Sequence, residues 1–311
     1  MNRLLLSFII FCNLLVSSIS AQTPSDAFMM KKKEICFAVP YQYSSWDHYW
    51  EGSLYRDNPN LGTVSTVMIG PMIAAGIHDR INIIVSCPWI KTNTSNSPLR
   101  GESGFQDFSL WIKAKLYEKK WSELNRLEAV LSLGASLPVG GYYADYMPLS
   151  LGLGCKSFGS RAMINYFMNN GLFASATIGY DLRSNVNIDR TNYYTTEHIE
   201  SNEFKMPNAL FSGITLGYFK NLTRVELQYN KMNTLGGVDI RRNDMPLLVS
   251  DMDADQVGFY IQQRMPFYEP LGIILFGNQT ISGINVGKST SFGGGLLYQW
   301  NIKSKSKTIN N

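Results

Sequence analysis

Two stretches decide how this chain is read: Gly104-Phe-Gln-Asp-Phe-Ser-Leu-Trp-Ile-Lys-Ala-Lys-Leu116 and, after a charged turn, Arg126-Leu-Glu-Ala-Val-Leu-Ser-Leu-Gly-Ala-Ser-Leu137. In the first, Phe108, Leu110, Ile112, Ala114 and Leu116 share one parity, and Asp107, Ser109, Trp111, Lys113 and Lys115 the other. In the second, Leu127, Ala129, Leu131, Leu133, Ala135 and Leu137 oppose Arg126, Glu128, Val130, Ser132, Gly134 and Ser136. A period of two is the strand period, because successive side chains leave opposite faces of the pleat. Ordinary strands run to about five or six residues, and these runs are twice as long. A long strand with one greasy face and one charged face suits a wall between lipid and water, the strand pattern of a transmembrane β-barrel.

Outward from there, the start of the chain has a basic residue, an almost wholly apolar run from Leu4 to Val16, and small residues through Ala21. That is the form of a secretory signal peptide, expected over 1–21. Phe11 before Cys12 is too bulky for a lipoprotein cut. No later segment has the ~18 consecutive apolar residues of a spanning helix. The hydrophobic share of 45% is what strands diluted by alternation produce. The net charge of +4 is small and owes much to Lys31-Lys32-Lys33 and the tail 303–311, so no basic domain for nucleic acid is expected. Cys36, Cys87 and Cys155 are odd in number and lack a CxxC neighbour, which suggests neither a disulfide framework nor a metal site. No cofactor is implied.

Twelve long strands are expected between 34 and 302, near 34–43, 63–77, 80–91, 105–117, 125–138, 159–168, 171–183, 209–219, 221–231, 255–264, 271–281 and 288–302. Links after even strands are short, as in His78-Asp79, Asn169-Asn170-Gly171 and Lys220-Asn221. Links after odd strands are mostly long: 44–62, 92–104, 139–158, 184–208, 232–254 and a shorter 282–287. Alternating short turns and long loops are a barrel's signature. The expectation is an all-β, antiparallel up-and-down barrel over 34–302, monomeric, in a Gram-negative outer membrane, with both termini periplasmic. Residues 22–33 form a short periplasmic segment, too short for a folded plug, and 303–311 a basic polar tail.

Several phrases carry a resemblance. Arg100-Gly-Glu-Ser-Gly-Phe-Gln-Asp-Phe-Ser-Leu with Leu131-Ser-Leu-Gly-Ala-Ser-Leu-Pro, and the strand–turn–strand Gly76-Ile-His-Asp-Arg-Ile-Asn-Ile-Ile-Val-Ser-Cys-Pro-Trp, resemble outer-membrane transporter-like barrels assigned to a pathway of phenol degradation. These are similar in turn to barrels that admit long-chain fatty acids and aromatic hydrocarbons. Trp46-Asp-His-Tyr-Trp, Pro148-Leu-Ser-Leu-Gly-Leu-Gly and Gly236-Gly-Val-Asp-Ile-Arg-Arg-Asn-Asp-Met-Pro resemble a Bacteroidetes-type branch. The resemblance implies passive transport of small, largely apolar molecules. The chain lacks the substantial N-terminal plug of the fatty-acid barrels.

Asp107, Lys113, Lys115, Arg126, Glu128, Arg161, Arg224, Glu226 and Arg264 fall on the polar parity and are expected to line the lumen. They either set selectivity or pair across strands and brace the interior; bracing is the favoured reading, since buried charges must pair or meet water. Trp46, Tyr49 and Trp50 stand in a long loop as a ligand platform or part of an aromatic girdle. Trp89, Tyr180 and Trp300 suit the girdle. Asp239, Arg241, Arg242 and Asp244 form a gate candidate: they constrict the mouth, bind lipopolysaccharide phosphate, or pair locally on a solvated loop. His48, His78 and His198 lie in loops or turns, outside the strand pattern that a wall-borne catalytic triad needs, so no enzyme is expected. Expected partners are outer-membrane lipid, lipopolysaccharide and a small-molecule cargo. The alternatives are a structural or surface-interaction barrel without an open pore and, third, a membrane-embedded hydrolase.

Overall fold

A computed structural model describes residues 23–122, 124–195, 197–240 and 247–302. The expected signal peptide and basic tail lie outside these residues, as do Arg241, Arg242 and Asp244. Twelve antiparallel strands close into one barrel. In chain order they are β1 (Glu34–Trp46), β2 (Val64–Ile69, resuming as Met72–His78), β3 (Ile81–Ser86, then Trp89–Thr94) and β4 (Ser103–Phe105, then Asp107–Lys120). There follow β5 (Arg126–Pro138), β6 (Ser157–Phe167), β7 (Leu172–Arg183) and β8 (Asn208–Lys220). The last four are β9 (Thr223–Leu235), β10 (Asp253–Met265), β11 (Tyr268–Ile284) and β12 (Thr290–Asn301). Each strand pairs with its neighbours in sequence, and β12 pairs with β1 from Glu34↔Asn301 to Ser45↔Thr290. Closure leaves no edge strand, which is what lets a sheet span a bilayer with its backbone polar groups satisfied.

The parity sets face as expected. Leu110, Ile112, Leu133, Leu137, Ile164, Ile178, Leu216 and Leu227 are exposed on the outer face, while Lys113, Glu128, Ser132, Arg161, Arg224 and Glu226 are buried. One detail departs from strict alternation. Tyr117 opposes Ala129 but Lys115 opposes Val130, so Leu116 is the extra residue of a bulge. Such an insertion flips the parity beyond it. Leu116 and Tyr117 therefore both stand exposed, and Glu118 joins Lys115.

Prolines explain the divided strands. β1 pairs with Met72–Ala75 through Ile35–Ala38 and with Val64–Ile69 through Tyr41–Trp46, and the ladder lapses at Gly70-Pro71. β3 lapses beside it, at Cys87-Pro88. Proline offers no N–H to a ladder, so adjacent strands break at one level of the wall. On the turn side, Lys220-Asn221-Leu222-Thr223 closes in two central residues, with Asn221 at φ 57°, a left-handed position that asparagine tolerates.

The loops at the other end pack together. Ala144, Cys155, Val186, Ile188, Tyr193, Phe204, Met206, Leu248 and Val249 form one buried cluster from the three long loops 139–156, 184–207 and 236–252. Leu61, Val64 and Leu149 join the loop after β1 to the loop 139–156, with Trp46 against them. Asn285 ties three loops: its Oδ1 accepts from Gly52 N at 2.7 Å, and its Nδ2 donates to Asp239 Oδ1 at 3.1 Å and to Asp251 O at 2.7 Å.

Candidate functional site

The lumen is where the sequence expectation needs its main correction. Residues 23–33 do not trail away from the barrel. Lys33 N donates to Gly76 O at 2.7 Å, and Lys32 N to Asp79 Oδ1 at 3.0 Å, which turns the chain back inside. Gly76 is required there, because a Cβ on it would lie 2.0 Å from Lys31 O. Met30 is buried among Cys36, Ala38, Ala74, Ile84, Ile274 and Leu297. Phe28 enters a cage of Phe167, Phe173 and Phe219, edge-on at 5.6, 5.2 and 4.9 Å between centroids. The wall supplies the segment's apolar surroundings.

Lys113, fully buried on β4, holds the segment. Its Nζ donates to Asp26 Oδ1 at 2.6 Å, Asp26 O at 2.7 Å, Phe28 O at 2.8 Å and Thr23 O at 3.2 Å. Arg224 on β9 completes the clamp. It bonds Glu226 at 2.6 Å, approaches Asp26 Oδ2 at 3.7 Å and lies 4.1 Å from the centroid of Phe28. Two cations thus meet two carboxylates, which is how charges survive desolvation, and the cation–π contact adds to it. Asn165 Nδ2 donates to Ala27 O at 3.3 Å, and its Oδ1 accepts from Ser175 Oγ at 2.6 Å.

The remaining expected lumen residues pair along the wall. Lys115 bridges Glu118 at 3.0 Å and Glu128 at 3.4 Å; Arg126 bonds Glu128 at 2.9 Å. Arg161 forms a fork with Asp181 at 2.6 and 3.1 Å and stacks over Phe211. Arg264 donates to Glu269 O near the turn end. Asp107 accepts from Tyr142 OH at 2.7 Å, which pins the loop 139–156 to β4. Burial, and then that carboxylate, pushes the Tyr142 hydroxyl well above the ordinary tyrosine range.

Between the segment and the loop end lies a cavity of about 620 Å³. Its floor is Thr23, Ser25, Asp26 and Ala27; its walls include Gln42, Met68, Met72, Arg161, Arg224, Tyr260, Phe276 and Asn278. Among the described loop candidates, Trp46, Tyr49, Trp50 and Asp239 do not line it. Trp46 packs on Gly287, Trp50 N donates to Val286 O at 2.9 Å, and Tyr49 bridges to Gly287. These aromatics strap the hairpin His48–Glu51/Leu54–Asp57 onto the β11–β12 loop. Asp239 bonds Asn285 rather than projecting as a constriction. In that hairpin, His48 sits between Asp47 and Asp57, each at 2.8 Å, and its hydrogen bond holds the Asp47 carboxyl below its ordinary value.

Sequence reasoning missed Asp26, Phe28 and Met30. The signal was present: Ala27-Phe28-Met29-Met30 is a compact apolar run inside a segment read as solvated.

A closed antiparallel barrel of twelve strands, apolar outside and charged within, defines a transmembrane β-barrel. The family profile described as "Putative MetA-pathway of phenol degradation" matches residues 72–234, more than half of the chain, and the protein belongs to that family. No curated protein matches it. Among solved structures, an outer membrane channel from Pseudomonas putida F1 superposes with a TM-score of 0.70 at 13% identity, covering 90% of this chain and 100% of that one; this likeness establishes the fold. The translocator domain of autotransporter NalP from Neisseria meningitidis (TM-score 0.48, 11% identity, 88% of this chain and 90% of that one) and the NanC porin (0.48, 11%, 84% and 98%) are more distant.

Proposed function

We propose that this barrel lies in an outer membrane, with its turns and both chain ends on the periplasmic side, and passes small, largely apolar molecules without an energy source. The observation that carries the reading is the cavity of about 620 Å³ inside the barrel, which is of ligand size and has the N-terminal segment as its floor. Residues 23–30 join no strand of the sheet and are held by wall side chains such as Lys113, so they can leave while the barrel stays closed. The family's described pathway and the likeness to an outer membrane channel support the same reading. Accumulation of a radiolabelled aromatic hydrocarbon by cells with and without the protein tests it; equal accumulation would sink it.

A second reading, a structural barrel without an open pore, draws on the pairing of lumen charges and the burial of Lys113. It differs in one outcome: deletion of residues 23–30 leaves a planar bilayer silent, whereas a passage reading has that deletion raise conductance.

A further inference from the structure

We propose that the lumen cavity binds one class of cargo: an uncharged molecule with an apolar body and a hydroxyl or carbonyl group at one end. This rests on the passage reading above and narrows it.

Charge excludes the ionic alternatives. The ionised groups bordering the cavity are Asp26, Arg161, Arg224, Glu226 and Lys231. Each already faces an opposite charge: Arg161 with Asp181 at 2.6 Å, Arg224 with Glu226 at 2.6 Å, Asp26 with Lys113 at 2.6 Å, Lys231 with Asp255 at 3.5 Å. Four cations and four carboxylates balance. At the three desolvated pairs an ionic cargo has to break a pair or enter without a partner, and both are costly; the more exposed Lys231 is already matched by Asp255.

Neutral polar groups, by contrast, are waiting. Among the described residues, the side-chain amides of Gln42, Asn230 and Asn278 border the cavity with no hydrogen-bond partner in the protein. Gln228 donates to Glu226 at 2.8 Å and Gln256 to Thr280 at 3.3 Å, which leaves their carbonyl oxygens to accept. An amide can both donate and accept, so it suits a hydroxyl or a carbonyl. Asn230 pairs directly across the ladder with Gln256, and Gln228 with Gly258, which in turn pairs with Asn278. The amides therefore form one patch across β9, β10 and β11.

Apolar lining flanks the patch on both sides: Ile274, Phe276 and Tyr260 toward the turns, and Phe211, Met232 and Ala254 toward the loops. Along β11 the inward sequence from turn to loop is Ile274, Phe276, Asn278, and along β10 Tyr260 precedes Gln256 in the same sense. Met72 and Ile274 add flexible and aliphatic surface, and methionine adapts to varied shapes. The apolar lining takes the body of an amphiphile, and the amide patch takes its polar end.

The test uses the full-length protein in lipid nanodiscs and four shape-matched probes: 4-phenylbutanol, 4-phenylbutyrate, 4-phenylbutylammonium and butylbenzene. Dissociation constants come from saturation-transfer NMR, with empty nanodiscs subtracted. The expected result is that the alcohol binds about tenfold more tightly than either ion, a difference of roughly 1.4 kcal/mol, and measurably more tightly than butylbenzene. In the Asn230→Leu/Asn278→Leu double variant the preference for alcohol over hydrocarbon disappears while the hydrocarbon still binds. Butyrate binding as tight as the alcohol overturns the proposal, as does an unchanged preference in the double variant. If all four bind equally, the cargo class falls but the passage reading stands. If none binds, the proposal falls, and the uptake assay in cells decides separately on passage.

Discussion

Lys113→Met should release the N-terminal segment from the lumen. In the parent, Nζ satisfies one carboxylate and three carbonyls of the segment, all within 3.2 Å, at full burial. Removing one partner of a buried pair costs about 3–5 kcal/mol, because the other charge is left uncompensated. Arg224, 3.7 Å from Asp26 Oδ2, offsets part of that, so the lower end applies, about 3 kcal/mol. At 1.4 kcal/mol per decade, the ratio of seated to released segment falls by about a hundredfold. The cost falls on the seated state alone, since in the released state water reaches Asp26 and the carbonyls. Ordering the segment already opposes seating by about 1–2 kcal/mol per residue, so little excess holds it. Single-channel conductance in a planar bilayer and limited proteolysis ahead of Lys31 read the outcome: higher conductance and faster cleavage. Lys115→Met is the control. It removes the same charge from the same lumen, but its partners Glu118 and Glu128 both belong to the wall. If Lys113→Met folds, yet matches Lys115→Met in conductance and cleavage, the clamp is not what seats the segment.

Other perturbations separate the remaining elements. Leu131→Arg, at the middle of β5 on the lipid face, should cost about 2–4 kcal/mol, read as lost heat-modified gel mobility; a folded variant of parental stability would break the assigned facing. Ser132→Arg is no benign counterpart, because Ser132 is buried between Lys113 and Arg161 in the register, and it should also fail to fold. Asn285→Gly keeps the left-handed backbone but removes the bonds to Gly52, Asp239 and Asp251; hydrogen exchange should quicken in all three loops while the strands stay protected. Glu102 has its carboxyl raised above the ordinary 4.5 by burial. Its contribution to loop stability is therefore complete below that ordinary value and lost as pH rises through the raised one. Glu102→Gln should flatten this dependence in proteolysis of residues 95–102 measured between pH 4 and pH 7, and a parent loop that grows more resistant with rising pH would contradict it.

What the chain states by itself is the wall. Alternation in 107–116 and 126–137 is a local property, because side-chain direction follows from the pleat whatever the partner strand. Loop lengths alternate for a similarly simple reason, the antiparallel path, so the strand number and the lumen facing of Lys113, Glu128, Arg161, Arg224 and Glu226 were legible. The bulge at Leu116 was not, because it exists only relative to β5. Nor were the charge partners: Asp26 meets Lys113 and Arg224 across distances along the chain that no periodicity spans. The seating of Phe28 depended on three phenylalanines from β6, β7 and β8 converging on one point of the lumen, which happens only when the sheet closes. Closure also brought Gln42 from the first strand and Asn278 from the eleventh to the wall of one cavity. The sequence alone determined which side of each strand faces lipid; the tertiary structure decided what fills the lumen, because a buried charge or ring takes its partner from whatever the fold brings within a few ångströms.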